Sequence, residues 1–183
     1  YNLTSFNSKF ASADNRCLII DGVLKCFAPA ELTEYTIPDN ITSIGSGAFQ
    51  ECSKLTTITI PDSVTSIGRM AFWGCRSLTS VTIPDSVTTI GDGLFWDCAC
   101  LESINIPDGV TSIGTAAFSY CTSLTSVTIP DNVTSIGQRA FDGCSNLISV
   151  YCKPTTPPAL EYGAFQENPS NRKIYVPWAS YDA

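Results

Sequence analysis

The side chains that could do chemistry recur at one interval. Cys52, Cys75, Cys98, Cys121 and Cys144 are 23 residues apart, and Asp39, Asp62, Asp85, Asp108 and Asp131 keep the same step. Thiols can ligate metals, cross-link or attack as nucleophiles, and paired carboxylates can hold calcium or exchange protons. The company these residues keep argues against each use. The chain has no histidine, which removes the usual general base, the Ser-His and Cys-His nucleophile pairs and the HExxH zinc motif together. Cysteines one period apart are far from a CxxC spacing. The one close pair, Cys98-Ala99-Cys100, lacks a second pair to complete a zinc site and reads as a ladder thiol beside an irregular neighbour.

Each of the five aspartates follows a proline in a turn, where it is expected to accept the backbone N–H two residues on. Repulsion between carboxylates about 5 Å apart is only about 0.8 kcal/mol in water, so the turn can bear this column without calcium. No glycine-rich phosphate loop is present. Catalytic, metal and cofactor residues are therefore expected to be none, and the chain is read as no enzyme.

What positions these columns is a repeat. Ile-Pro-Asp begins at Ile37, Ile60, Ile83, Ile106 and Ile129, Val/Ile-Thr-x-Ile-Gly follows, and Phe49, Phe72, Phe95, Phe118 and Phe141 keep the same 23-residue step. A fixed period of this length marks a solenoid, whose units are too small to bury their own apolar faces and so stack on one another. Segments such as Leu55 to Ile60 and Leu78 to Ile83 alternate apolar and polar residues, and each is expected to supply one rung of a single parallel sheet. Thr57, Thr59, Ser80, Thr82, Ser126 and Thr128 then line the open face. Proline ends each rung, where its missing N–H does least damage. The chain turns, buries Val64 and Ile67 or their equivalents, bends at Gly45, Gly68, Gly91, Gly114 or Gly137, and returns to cysteine through a short Ala-Phe helical turn. Leu32 to Ile37 reads as a first strand and Ile174 to Pro177 as a seventh, after one coil lengthened to 24 residues between Phe141 and Phe165. Seven rungs at roughly 4.8 Å per step make a sheet about 29 Å long.

The first 31 residues read differently. Asp21-Gly22 between two apolar runs signals a β-hairpin that shields the first coil. Centring the ladder on that turn pairs Cys17 directly with Cys26, in the non-hydrogen-bonded geometry, at the short end of the range a disulfide tolerates. A bridge is expected there. It is not expected in the 23-residue ladder, whose stacked Cβ atoms stand about 4.8 Å apart against the roughly 3.8 Å a disulfide prefers. The expected organisation is an N-terminal cap over 1–31, repeats over 32–152, and a degenerate last repeat with a C-terminal cap over 153–183.

Strands closing on Gly-x-x-Ala-Phe-x-x-Cys, with Ile-Pro-Asp, Ile-Gly, Phe and Cys together in five successive coils, resemble the BspA-like leucine-rich repeats of bacterial and protist surface proteins. The resemblance covers residues 32 to 177. It implies an α/β leucine-rich-repeat solenoid, β-rich, with right-handed coils, and a non-enzymatic adhesion module binding host matrix or other cell-surface proteins. The ordinary leucine-rich signature carries Asn or Cys just past the strand. Here Asn40, Ser63, Ser86, Gly109 and Asn132 stand there instead, so the cysteine after Ala-Phe must take the inward-facing role.

Composition narrows the partners. Seventeen acidic against ten basic residues give a net charge of −7, which repels nucleic acid and anionic lipid alike. No apolar run is long enough to span a membrane, and the sequence opens at Tyr1 without the n-region or h-region of a signal peptide. The composition and the resemblance imply an extracellular or cell-surface protein, with any signal trimmed away. Protein is the expected partner class, with no small-molecule substrate.

A uniform Thr/Ser face offers little specificity, so the expected contact residues are the ones that vary. Arg69, Trp73, Arg76, Trp96 and Tyr120 lie between glycine and cysteine, with Met70, Asp92, Asp97 and Thr115 among them, while Glu34 and Tyr151 mark the ends of the sheet. Trp73 and Trp96 occupy one position in adjacent coils and should stack, either as an aromatic platform with Tyr120 nearby or as a cover for the phenylalanines beneath. Two further readings are a passive spacer that displays another domain and, remotely, an ice-binding threonine array.

Overall fold

A computed structural model of the chain describes residue 14 and residues 16–29 and 31–177. The outer parts of both expected caps, 1–13 and 178–183, lie outside the described residues. Alternation builds the first sheet as expected. β3 (Glu34–Thr36), β5 (Thr57–Thr59) and β7 (Ser80–Val81) pair in parallel, as do β10 (Ser126–Ile129), β12 (Ser149–Cys152) and β14 (Lys173–Tyr175). The fourth rung narrows to one bridge, Thr82 to Asn105. In register, Tyr35 lies beside Ile58, Ile58 beside Val81, and Val127 beside Val150. All five are buried, while their hydroxyl neighbours face out.

The expectation of a single sheet is corrected. A second parallel ladder runs along another side of the coil, through β4 (Ser43–Ile44) and β6 (Ser66–Ile67), then β8 (Thr89–Ile90), β9 (Ser112–Ile113), β11 (Ser135–Ile136) and β13 (Ala159–Leu160). These are two-residue strands, too short to show an alternation. They hold because the flanking amides also bond coil to coil, Thr65 N to Thr42 O at 2.9 Å and Gly68 N to Ile44 O at 2.8 Å.

The Ala-Phe segment is a turn ladder, and the expected helical turn is not formed. The N–H groups of Gly47, Phe49 and Glu51 donate to Arg69, Ala71 and Trp73 of the next coil, whereas those of Ala48, Gln50 and Cys52 donate three residues back within their own. Such alternation requires repeated reversals of backbone hand, and Gly47 and Glu51 both have positive φ, 64° and 57°. A helix would keep every bond inside one coil.

The hairpin of β1 (Cys17–Ile20) and β2 (Val23–Phe27) turns through Asp21-Gly22, both at positive φ, as a tight two-residue loop demands. Its register corrects the expected disulfide geometry. A bulge at Lys25 sets Cys17 opposite Phe27 and Cys26 opposite Leu18, so the ladder does not bring the two sulfurs face to face. Cys17 is buried, and its thiol lies 3.0 Å from the Tyr35 hydroxyl. The hairpin closes the core: Phe27 meets Tyr35 at 4.4 Å and Phe49 at 4.8 Å between ring centroids.

Like side chains pile up in columns through the interior. Phe72 stacks on Phe95 at 5.4 Å and 5°, and Phe118 on Phe141 at 5.1 Å and 8°, each such pair adding about 0.5 to 1.5 kcal/mol beyond burial. The longer coil keeps the column, since Phe141 and Phe165 are still 5.1 Å apart. Its extra residue lies in the proline-rich stretch between Cys152, which pairs with Ile129, and Ala159, which pairs with Ser135. Five buried cysteines run beside the rings. Cys75, Cys98, Cys121 and Cys144 each place Sγ 3.1 to 3.2 Å from the carbonyl of a phenylalanine in the preceding coil. Each of these carbonyls also accepts an N–H within its own coil, as Phe49 O does from Cys52 at 3.2 Å, so the thiol is a second donor to it.

Candidate functional site

The turn ladder builds the most varied surface. Trp73 and Trp96 stand at one position of successive coils, fixed by backbone bonds from Glu51 N to Trp73 O and from Gly74 N to Trp96 O. Their rings stack at 5.6 Å and 26°, and both are half-buried. Ion pairs bracket them on either side. Arg69 Nε is 3.3 Å from Asp92 Oδ2, and Arg76 reaches Asp97 Oδ2 with Nη2 at 2.7 Å and Nε at 2.8 Å. Asp92 also accepts the Thr115 N–H at 2.9 Å. These surface pairs are worth little in stability. Their effect is to tie the guanidinium groups of Arg69 and Arg76 to the following coil.

Tyr120 is exposed but belongs to another column, that of Glu51, Gly74, Asp97 and Gly143. Its φ is positive, 59°, and its ring leans onto the following coil, where a Cβ at Gly143 would lie 2.7 Å from its Cδ1. Met70 covers Gly93 in the same way. At these left-handed positions the side chains of Met70 and Tyr120 lie over the next coil, where Gly93 and Gly143 leave the room.

The other two expected contact residues lie apart. Glu34 is exposed at the first rung, opposite Thr57, and Tyr151 is exposed at the sixth. Tyr151 stacks on Tyr175 at 4.7 Å and 11°, a pair the sequence reading missed although their spacing equals the length of the long coil. The Arg69–Asp92 pair was equally legible, one period apart. The Arg76–Asp97 pair runs diagonally and breaks that spacing.

The aspartate column is exposed throughout, from Asp39 to Asp131. Its expected turn role is corrected, because the N–H groups of Ile41 and Val64 go to the carbonyls of Pro38 and Pro61 at 3.0 Å. Backbone closes the turn, and the carboxylates face water. Asp108 pairs with Lys153 at 3.2 Å. Cys98 is buried while Cys100 is exposed, and among the described residues no group of three His, Cys, Asp or Glu side chains converges to hold a metal. Among the same residues, no helix is long and apolar enough to cross a membrane.

Comparison with known proteins agrees with this geometry. The model of the BspA type leucine rich repeat region, in six copies, matches residues 24–148 and 89–179. A leucine rich repeat protein from T. pallidum is 28% identical over 80% of this chain and 70% of its own, with a TM-score of 0.68. One from Bacteroides ovatus is 30% identical over 77% of this chain and 48% of its own, with a TM-score of 0.61. A leucine rich cell surface protein from Faecalibacterium prausnitzii is 38% identical over 66% of this chain and 39% of its own, with a TM-score of 0.51. The chain thus spans less than half the length of the latter two. A comparison with curated proteins finds no match. With its columns of Phe and Cys and its inter-coil ladders, the chain belongs to the family of BspA-type leucine-rich repeats.

Proposed function

We propose that this chain is a non-enzymatic protein-interaction and adhesion module on the outside of a bacterial cell, binding host or other surface proteins through the turn face built on Trp73 and Trp96. The observation that carries the reading is the stacked, half-buried tryptophan pair, in a turn segment that also carries two inter-coil ion pairs at Arg69 and Arg76. Tryptophan and arginine dominate interface hot spots, and a rigid platform loses little conformational entropy on binding. The F. prausnitzii relative is itself described as a cell surface protein, which fits the same placement.

A second reading is favoured by the uniform hydroxyl side chains of the sheet: the solenoid acts as a spacer displaying another domain. One experiment separates them. The purified chain and its Trp73→Ala/Trp96→Ala variant are compared in capture of matrix and cell-surface proteins, with melting temperature as the control for folding. Partner capture by the native chain and its loss in the folded variant support the platform. Equal capture by both moves the interface elsewhere, and no capture by either favours the spacer.

A further inference from the structure

The open face of the first sheet has a different chemistry from the turn face. Thr57, Thr59, Ser80, Thr82, Ser126 and Thr128 are exposed on it in register. Among the described residues of these two columns, charge appears at the ends, Glu34 at the first rung and Lys173 at the last, and Glu102 is exposed beside the fourth rung, although the whole chain carries −7. Beside Lys173 stand Tyr151 and Tyr175, each 43% exposed. Because their rings are stacked nearly parallel along the column, the second face of Tyr151 looks back toward its other register neighbour, Thr128. A tyrosine reaches much farther from the sheet than a threonine. The result is an aromatic wall at the end of a flat hydroxyl floor.

We propose that this corner binds a neutral glycan. Each serine and threonine hydroxyl both donates and accepts, which matches sugar hydroxyls and needs no fixed orientation of either partner. The chain's net charge of −7 repels carboxylated and sulfated chains over distance, and Lys173 stands on the last rung, past Ser149 and off the Ser126 and Thr128 floor, so acidic chains are disfavoured. The negative face of the Tyr151 ring attracts the weakly positive C–H groups of a pyranose. A protein partner fits less well. The floor presents no leucine, isoleucine or methionine to anchor an interface core, and the rung backbones are already spent on one another, which excludes strand addition on this face. The site is independent of the tryptophan platform.

Affinity electrophoresis of the whole chain through gels holding xylan, galactomannan or a β-glucan, with hyaluronan and heparin as acidic counterparts, tests it. At least one neutral polymer should retard the chain and the acidic ones should not. Tyr151→Ala/Tyr175→Ala should weaken association about tenfold or more, and Ser126→Asp, which puts a charge on the floor, should do the same, both with unchanged melting temperature. Trp73→Ala/Trp96→Ala should behave as the native chain. No retardation by any neutral polymer, preference for the acidic ones, or equal retardation of the tyrosine and Ser126 variants would overturn the proposal. So would a protein ligand lost in those variants while no glycan binds.

Discussion

Asn168 does in the last coil what Cys144 does in the one before it. Asn168 Nδ2 donates to the Phe141 carbonyl at 2.6 Å, and Cys144 Sγ donates to the Phe118 carbonyl at 3.1 Å. An amide and a thiol, one coil apart, satisfy the same kind of backbone acceptor, so the column is a column of donors. The expectation follows that the donor matters more than the element. Cys98→Ala should cost about 0.5 to 1.5 kcal/mol, the range for one lost hydrogen bond, because the Phe72 carbonyl keeps the Cys75 N–H. Cys98→Ser, which keeps a donor of similar size, should cost less. Equal losses in denaturant unfolding would show that sulfur packing alone sets the effect.

Three glycines of one column should respond in two opposite directions. A Cβ on Gly114 would lie 2.6 Å from Asp92 Oδ1 and 2.7 Å from Asp92 N, and one on Gly137 would lie 2.7 Å from Gly114 C and Thr115 N. Backbone cannot move aside there, so Gly114→Ala and Gly137→Ala should lower the melting temperature by several degrees. At Gly91 the nearest atom is 3.7 Å away, and Gly91→Ala should be neutral or stabilise by about 0.4 to 1 kcal/mol through the unfolded state. A loss at Gly91 as large as that at Gly114 would contradict the backbone-contact account.

The columns were legible because a constant period places Phe72 on Phe95 whatever the coil does between them. Spacing also foretold the Trp73–Trp96 stack. Features that depend on where the backbone bends were not legible. Ser66–Ile67 is too short to alternate, so the second sheet read as a turn. The left-handed φ values at Met70 and Tyr120, 54° and 59°, are unusual for such residues, and only the glycines one coil on, Gly93 and Gly143, hinted at them. The bulge at Lys25 breaks the symmetric ladder from which Cys17 and Cys26 were paired. At the candidate sites, the shared position of the tryptophans could be read from the repeat, but the Tyr175 partner of Tyr151 in the sheet was hidden by a coil one residue longer than the rest.

One column should lose its energetic weight at the C-terminal end. Ile58 is 5% exposed, whereas Ile174, at the equivalent position two rungs past Val127, is 49% exposed beside a mostly apolar cavity of about 130 Å³ lined by Leu160, Phe165 and Val176 among others. Ile58→Ala should cost about 2 to 5 kcal/mol, as a buried truncation does. Ile174→Ala should cost less than about 1 kcal/mol if solvent already reaches it. A comparable loss at both positions, measured by denaturant unfolding, would mean that Ile174 is covered in solution.

Alkaline pH should weaken the fold through its thiols. Burial pushes Cys98 and Cys121 well above the ordinary thiol range and Cys144 up to about 12, while Cys75 is raised by its hydrogen bond with Cys52 and then by burial. In the unfolded chain these groups titrate near 8.5. Below about pH 8.5 both states keep their protons and the contribution to stability is complete. Above it the unfolded chain sheds protons that the folded one retains, so stability falls as pH rises, continuing to about 12 for Cys144. In reducing buffer the melting temperature should therefore hold to about pH 8 and drop between about pH 8.5 and 10, and less steeply in a Cys98→Ala/Cys121→Ala variant, which has two fewer such groups. A profile flat to pH 10, or one with the same slope in the variant, would remove the buried thiols as the cause. At pH 8 a thiol reagent should label exposed Cys100 at once and reach the ladder cysteines only as fast as the solenoid opens, because their sulfurs are buried and hydrogen-bonded to carbonyls.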